Sequence, residues 1–519
     1  MVETALLAPQ ATHRAGSVDP IQPVSSAVTA FIGRAVRGPL NEPVEVRSFG
    51  EFQRHFGGLW QPSTLSYALE HFFDHGGQTA LVVRVDNGAR APTLTLETGA
   101  SPLILRAVQP GTREFLRAAV DYDGIGEGEP DRFNLVLQRL RAAGTEQVDE
   151  QESHRRISIR DGAARSLVEA LASSRIARLA GSLPSVRPQR TSGAHGAAIG
   201  YVESNNDGDD GDTPTDYDII GSAEARSGLF ALQDSARHFA LLCIPPLGRE
   251  RDVGHAALTV AMRICRARQA MLVVDPPLAW ASAEDALAAL RGWPVQSPDA
   301  CMYFPRVTAY DRLRGRLEVF GSCGVAAGLL SSAGPDVVRL RPLTRPVERL
   351  GRVARQRLSR LGVNSFRVDG EPDPPIACTL VPETASRPAA RHLASRRLAL
   401  GVCASIVRGT RWALLGGDGP TLWSRLGAQV NDYLGTLAEQ GALVPDLLED
   451  SYFVVCDERI NNAGSGHRGE VRILFGFADR RPGDFQTFLV THRIDGSQVR
   501  AASVNRLMTG MRRAAISQV

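Results

Sequence analysis

Apolar and polar positions change period several times along this chain, and each change marks an element. Residues 27–35 (AVTAFIGRA) are an apolar run that reads as a strand, followed by a Gly/Pro-rich turn at 37–43. Residues 48–56 (SFGEFQRHF) read as a short helix with a serine cap, and 62–75 as a second helix stopped by Gly76 and Gly77. Residues 78–86 (QTALVVRVD) read as a strand. Between 88 and about 200 the pattern shortens: TLTLET, PLILRAV, FNLVLQRL and RRISIR are brief strands, with a helix expected over 163–179. From Phe239 strands and helices alternate, as FALLCIPP, a helix over 254–268, QAMLVVDPP, a helix over 282–290, and DACMYFPRV. That rhythm predicts βαβ units and a parallel sheet.

Later elements follow the helical period more clearly. Val347, Leu350, Ala354, Leu358 and Leu361 share one face of a helix expected over 347–361 and ended by Gly362. Leu422, Leu426, Val430, Leu434 and Leu437 share a face of a helix over 421–440, opened by Pro420 and closed by Gly441. The strands SYFVVCDE, EVRILFGFA and FQTFLVTHRID then finish the folded part. Residues 1–24 and 496–519 are polar and read as extended arms. The fold class is therefore α/β: a discontinuous core with βαβ units and a mixed sheet, an inserted β-rich domain at 88–200, and arms at both ends. The core falls into segments 25–87, 201–380 and 381–495.

Composition narrows the chemistry. The chain has 519 residues and a net charge of 59 − 56 = +3, so no whole-protein field points to nucleic acid or membrane. No apolar run approaches a membrane span, and the first twenty residues show no signal peptide, which places synthesis in the cytoplasm. All 59 basic residues are Arg. Without lysine there is no phosphate-binding G-x-x-x-x-G-K-[ST] loop and no Schiff-base chemistry. The seven cysteines form no C-x-x-C, and most lie in apolar contexts, which reads as reduced and buried.

Candidate sites fail one after another. His71 and His75 are four apart beside Glu70, but no third metal ligand has a recognisable spacing. The acidic loop 204–216 departs from the EF-hand spacing. GSGHRG (464–469) is followed by a strand where a dinucleotide fingerprint needs a helix. GSCGV (321–325) has a bulky fifth residue where a nucleophile elbow needs a small one. Arg349, Arg352, Arg355, Arg357 and Arg360 lack the interleaved aromatics of a nucleic-acid stripe. We expect no catalytic, cofactor or metal site.

Several stretches together resemble contractile tail sheath proteins, the outer sleeve of phage tails and related injection particles. They are 27–59, 66–85 (SYALEHFFDHGGQTALVVRV), 216–246, 297–307 (SPDACMYFPRV), 360–368 (RLGVNSFRV), 396–415 (RRLALGVCASIVRGTRWALL), 422–443 and 451–458. Residues 88–200 match poorly, and SSAGPDVVRLRP stands where the family often has an Arg-x-Arg-Gly stretch. The resemblance implies a structural subunit that forms hexameric rings stacked as a helical sleeve around an inner tube and contracts to drive that tube through an envelope. Its partners are then other copies of itself, the tube protein, and baseplate and terminator or cap proteins, with no nucleic acid, cofactor or membrane insertion. The particle is a phage tail or a phage tail-like one that is released. The central domain, 201–380, is called subtilisin-like in fold only, and fold carries no protease activity with it.

The arms are implied to link subunits by sharing strands. This makes Ile21, Val24, Phe485, Phe488, Val490, His492 and Ile494 candidate interface residues, and Arg349, Arg352 and Arg360 candidates for tube or core contacts. Two alternatives remain open: a baseplate or cap protein of the same machine, or an α/β enzyme with an unrecognised site.

Overall fold

The apolar run at 27–35 forms β1 (Val28–Gly33), and five of its six residues are buried. A strand covered on both faces needs no polar alternation, and this one lies inside a parallel sheet. The structure is a computed structural model that describes residues 19–191, 200–332, 338–371, 373–384, 388–415, 419–444, 451–461, 470–482 and 484–502. The chain divides into two compact units. The larger comprises 27–265 and 271–385; the smaller, among the described residues, comprises 19–26, 266–270 and 386–502.

In the larger unit β2 (Val44–Val46), α1 (Phe49–Phe56), α2 (Thr64–Asp74) and β3 (Thr79–Arg84) follow β1. Ser48 and Ser63 cap the two helices by accepting from the Glu51 and Ser66 amides, each cap contributing about 1 kcal/mol.

An insertion then adds β4 (Thr93–Leu96), β5 (Leu103–Ala107), β6 (Phe115–Asp121), β7 (Arg132–Leu140), β8 (Val148–Ser158), α3 (Leu167–Ala172), β9 (Ala177–Leu179) and β10 (Val202–Glu203). These make a sheet β4-β5-β9 and a sheet β10-β6-β7-β8. Leu94, Leu105, Leu116, Phe133 and Leu135 belong to their shared core. The helix expected over 163–179 is cut to 167–172. Ser174 accepts from the Ile176 and Ala177 amides, and Ala177 then pairs with Ala107 as a strand.

After α4 (Asp216–Ile220) and α5 (Phe230–Gln233) come β11 (Leu241–Cys243), α6 (His255–Arg268), β12 (Met271–Val274), α7 (Ala283–Leu290) and β13 (Ala300–Met302). The strand order is β13-β12-β11-β1-β3-β2, parallel except for β2. The chain steps one way from β1 to β3 and the other way through β11 to β13. This is doubly wound topology with its switch point between β1 and β11.

A further antiparallel sheet, β15-β14-β16, is built from β14 (Val307–Asp311), β15 (Arg316–Phe320) and β16 (Thr344–Pro346); α8 (Cys323–Ser332) precedes β16 and α9 (Arg352–Arg360) follows it. GSCGV is thus a helix start. Its glycine begins a Gly324-x-x-x-Gly328 pair that lets α8 lie against α2. A Cβ on Gly324 would sit 2.2 Å from the Ala68 carbonyl oxygen, and one on Gly328 would sit 2.4 Å from that of Phe72. The helix expected from 347 begins only at 352: Thr344–Pro346 pair with Val307–Ala309, and the Val347 amide continues that run by donating to the Arg306 carbonyl at 3.0 Å.

The smaller unit holds α10 (Pro388–Arg391), α11 (Leu393–Thr410), a 3-10 turn (Arg411–Leu415), α12 (Pro420–Glu439), and an antiparallel sheet in the order β17 (Tyr452–Val455), β18 (Val471–Phe477), β19 (Gln486–Arg493) and β20 (Gly496–Ala501). Leu422, Leu426, Val430 and Leu434 of α12 are buried as their spacing required. Two expectations need correction. Residues 496–501, read as the start of an arm, form β20. Residues 19–24, read as part of the other arm, pack on this unit: Ile21 enters its core and lies against Gly409 of α11.

Candidate assembly surfaces

The interface residues chosen from sequence fall into two groups. Phe488, Val490 and His492 sit at alternate positions of β19 and are buried in the core of their own unit, as is Ile21. The alternation was correctly seen, but those side chains form the inward face and serve the core. Phe485 is half-buried with its ring against Phe453. Val24 is half-buried, and its amide donates to Ser405 Oγ. Ile494 alone is open, 87% exposed in the turn between β19 and β20.

His492 ties β20 to α11. The Thr410 hydroxyl donates to the Ile406 carbonyl, so Thr410 Oγ1 must accept from His492 Nε2 at 2.8 Å. His492 Nδ1 then accepts from Ser497 Oγ at 2.7 Å. This is a neutral imidazole; burial and then the Arg411 charge hold its pKa down at about 4. Among the described residues β17 and β20 each pair on one side only, so the sheet has two open edges. Open edges are templates for an added strand.

The arginine helix α9 is less uniform than its sequence. Arg355 is buried and paired with Glu371, to which Arg349 also reaches at 3.9 Å, and Arg360 lies 3.7 Å from Glu383. Arg352 and Arg357 are exposed, with no ion pair among the described residues. The structure places Arg349, Arg352 and Arg360 on the surface. One apolar surface escaped the sequence reading. Tyr310, Leu317 and Val319 project from the same side of β14 and β15 and are each about half exposed or more. Short alternating strands would have signalled it had 316–320 been read as a hairpin partner of 307–311.

The candidate chemical centres resolve into structural roles. His75 Nδ1 donates to the His71 carbonyl and Nε2 accepts from Thr344, so neither nitrogen is free for a metal. His71 is buried edge-on to Phe320, and burial lowers its pKa to about 3. In the acidic loop, Asp207 accepts from Thr93, Asp210 from Thr112, and Asp209 pairs with Arg90; these carboxylates fasten the loop to the insertion. No group of three potential metal ligands occurs among the described residues. GSGHRG lies outside them. All seven cysteines are free and buried, and burial pushes the Cys323 thiol far above its ordinary pKa.

A cavity of about 30 Å³ lies at the carboxyl ends of β11 and β12, lined by Tyr67, His71, Arg249, Asp275, Arg306 and Cys323 among others. Doubly wound sheets bind ligands at such ends, but this space has room for little beyond water. Asp275 works there as a remote helix cap, its Oδ1 accepting from the Cys323 amide at 2.7 Å. Burial raises its pKa, against the pull of Arg306. One stretch, Leu393–Leu415, is long and apolar enough to cross a bilayer, contrary to the reading of the sequence; half of its most apolar window is buried, with Val402, Cys403 and Ile406 in the core of the smaller unit.

No family model matches the sequence, and no curated protein does. Comparison of folds is more informative. The chain is similar to the sheath tail protein of Listeria innocua, with a TM-score of 0.55 and 13% identity, over 93% of this chain and 96% of that one. It is also similar to the sheath of the PVC extracellular contractile injection system in its contracted state, with a TM-score of 0.51 and 14% identity, over 93% and 97%. The resemblance read from scattered motifs therefore extends to the fold of nearly the whole chain.

Proposed function

We propose that this protein is the structural subunit of a contractile sheath. It polymerises as helically stacked hexameric rings around an inner tube and contracts to push that tube through a target envelope. The observation that carries this reading is the sheath fold over 93% of the chain. Working contacts then lie on surfaces, with the tube, baseplate and cap proteins as further partners. The particle is assembled in the cytoplasm and released as a phage tail or tail-like injection device.

The two open edges of the β17-β18-β19-β20 sheet suit this role. A strand from a neighbouring copy gains main-chain hydrogen bonds there without needing a core of its own. Such links stay intact while rigid units rotate, which a switch between two packings requires. Residues 1–18 and 503–519 are the segments we assign to this linking; they lie outside the described residues. Arg349, Arg352 and Arg360, all on the surface, are proposed as contacts to the tube or to adjoining cores. Negative-stain electron microscopy of the purified protein tests the reading. Rings or helical tubes are expected; discrete particles of one 55.9 kDa chain at all concentrations and salts would overturn it.

A further inference from the structure

The inserted domain is electrically polar along its long hairpin. At one end, beside α1, lies an open groove of about 620 Å³ lined by Arg37, Arg54, Arg113, Arg141, Gln53 and Phe115 among others, with no carboxylate in its wall. Arg37 is 7% exposed and fixed in place: Nη1 donates to Asp149 at 3.1 Å and Nη2 to the Arg54 carbonyl. Arg141 shares Asp149. Arg54 is largely exposed and only 3.8 Å from Glu51. Arg113 is exposed, with no ion pair among the described residues. Four guanidinium groups thus face two carboxylates, and every one is a planar, permanently charged fork suited to bidentate carboxylate binding.

At the other end the loop joining β6 to β7, residues 121–131 (DYDGIGEGEPD), carries five carboxylates and no base. Asp121 accepts from Asn134, Glu129 pairs with Arg132 and Arg156, and Asp131 lies by Arg160. Asp123 and Glu127 are exposed and have no ion pair among the described residues. Gly124, Gly126 and Gly128 have open space around them. β7 has nine residues, and at about 3.4 Å per residue it separates loop and groove by about 30 Å. The acidic loop of one chain therefore cannot enter its own groove.

We propose that the arginine groove receives the 121–131 loop of a second copy, with Asp123 and Glu127 paired to Arg113 and Arg54. This rests on the sheath reading only in taking the protein to be a polymer. Complementary patches at opposite ends of one domain make a heterologous contact, which repeats head to tail and builds rings or open helices. The partner's chemistry is thus a glycine-rich, carboxylate-bearing peptide segment.

Two measurements test it on the full-length chain. A synthetic peptide of residues 121–131 is titrated into the wild type and into R54E/R113E. We expect binding that weakens with added salt and falls at least about tenfold in the variant. Equal binding to both, no binding to either, or displacement of the peptide by equimolar inorganic phosphate would overturn the proposal. Second, R54E/R113E and D123R/E127R are each expected to lower the sedimenting, tube-forming fraction about tenfold or more, and their combination to restore it, as a charge swap requires. All four side chains are surface groups, and an unchanged melting temperature will certify folding. Wild-type tubes with unaffected or unrescued variants would sink this contact and leave the sheath reading standing. Absence of wild-type tubes would sink the sheath reading, while the peptide titration still decides the groove.

Discussion

Gly324→Ala is the sharpest test of how the larger unit is held together. The added methyl would lie 2.2 Å from the Ala68 carbonyl oxygen, where ordinary contact is 3.4–4 Å, so α8 must retreat from α2 by more than an ångström. A gap of that size forfeits about a quarter to a half of each contact along the seam. Overpacking of this kind costs about 1–3 kcal/mol, and the better helix propensity of alanine returns only about 0.5–1 kcal/mol. The net expectation is a loss of about 1–2 kcal/mol. Gly401 is the control. It lies within α11, where a Cβ meets nothing within 4 Å. There the same substitution should stabilise by about 0.5–1 kcal/mol. Urea titration followed by far-UV circular dichroism reads both. Because the obstacle is the Ala68 backbone and not its methyl group, Ala68→Gly should fail to rescue Gly324→Ala. Stability of Gly324→Ala at or above the wild type, or rescue by the second change, would refute the reasoning.

Other expectations concern single groups. His492 is neutral in the fold, with its pKa held at about 4 against 6.5 when unfolded. Its stabilisation is complete above pH 6.5 and is lost as pH falls toward 4, by about 2 kcal/mol at pH 5. Thermal melting of His492→Gln between pH 7 and 5 should show a shallower decline than the wild type, and parallel curves would contradict this. Ile21→Asp buries a carboxylate in the core of the smaller unit and should cost about 3 kcal/mol or more, read as loss of that unit's urea transition; an unchanged midpoint would place residue 21 outside the core. Arg355→Ala leaves Glu371 without its buried partner and should cost about 3 kcal/mol, with Arg352→Ala as a near-neutral comparison. None of the seven thiols should react with an aromatic disulfide reagent until denaturant is added, since all are buried; rapid reaction in buffer would mean that a core opens.

Much of the fold was legible because burial leaves a period in the sequence. The βαβ alternation from Phe239 and the spacing in α12 were read correctly since each strand or stripe is continuous and ends at Gly or Pro. The misreadings share a cause, which is that local propensity yielded to a partner distant in sequence. Residues 177–179 leave a helical run to join β5, and Val347, at the head of another, donates instead to the Arg306 carbonyl beside β14. The residues chosen for assembly were harder still. Alternation in β19 reveals two faces but not which of them meets the core, and α11 with α12 takes the side bearing Phe488 and Val490. The arginine groove has no signature at all, because its residues come from positions 37, 54, 113 and 141.

The smaller unit is assembled from stretches far apart in the chain, with Ile21 set among residues from 399 onward. During synthesis that early segment emerges long before the helices and strands that will hold it. At usual ribosomal speeds it waits for roughly half a minute to a minute and a half, while the intervening residues fold on their own. A newborn chain therefore carries an unsatisfied strip that only residues made more than 370 positions later can claim.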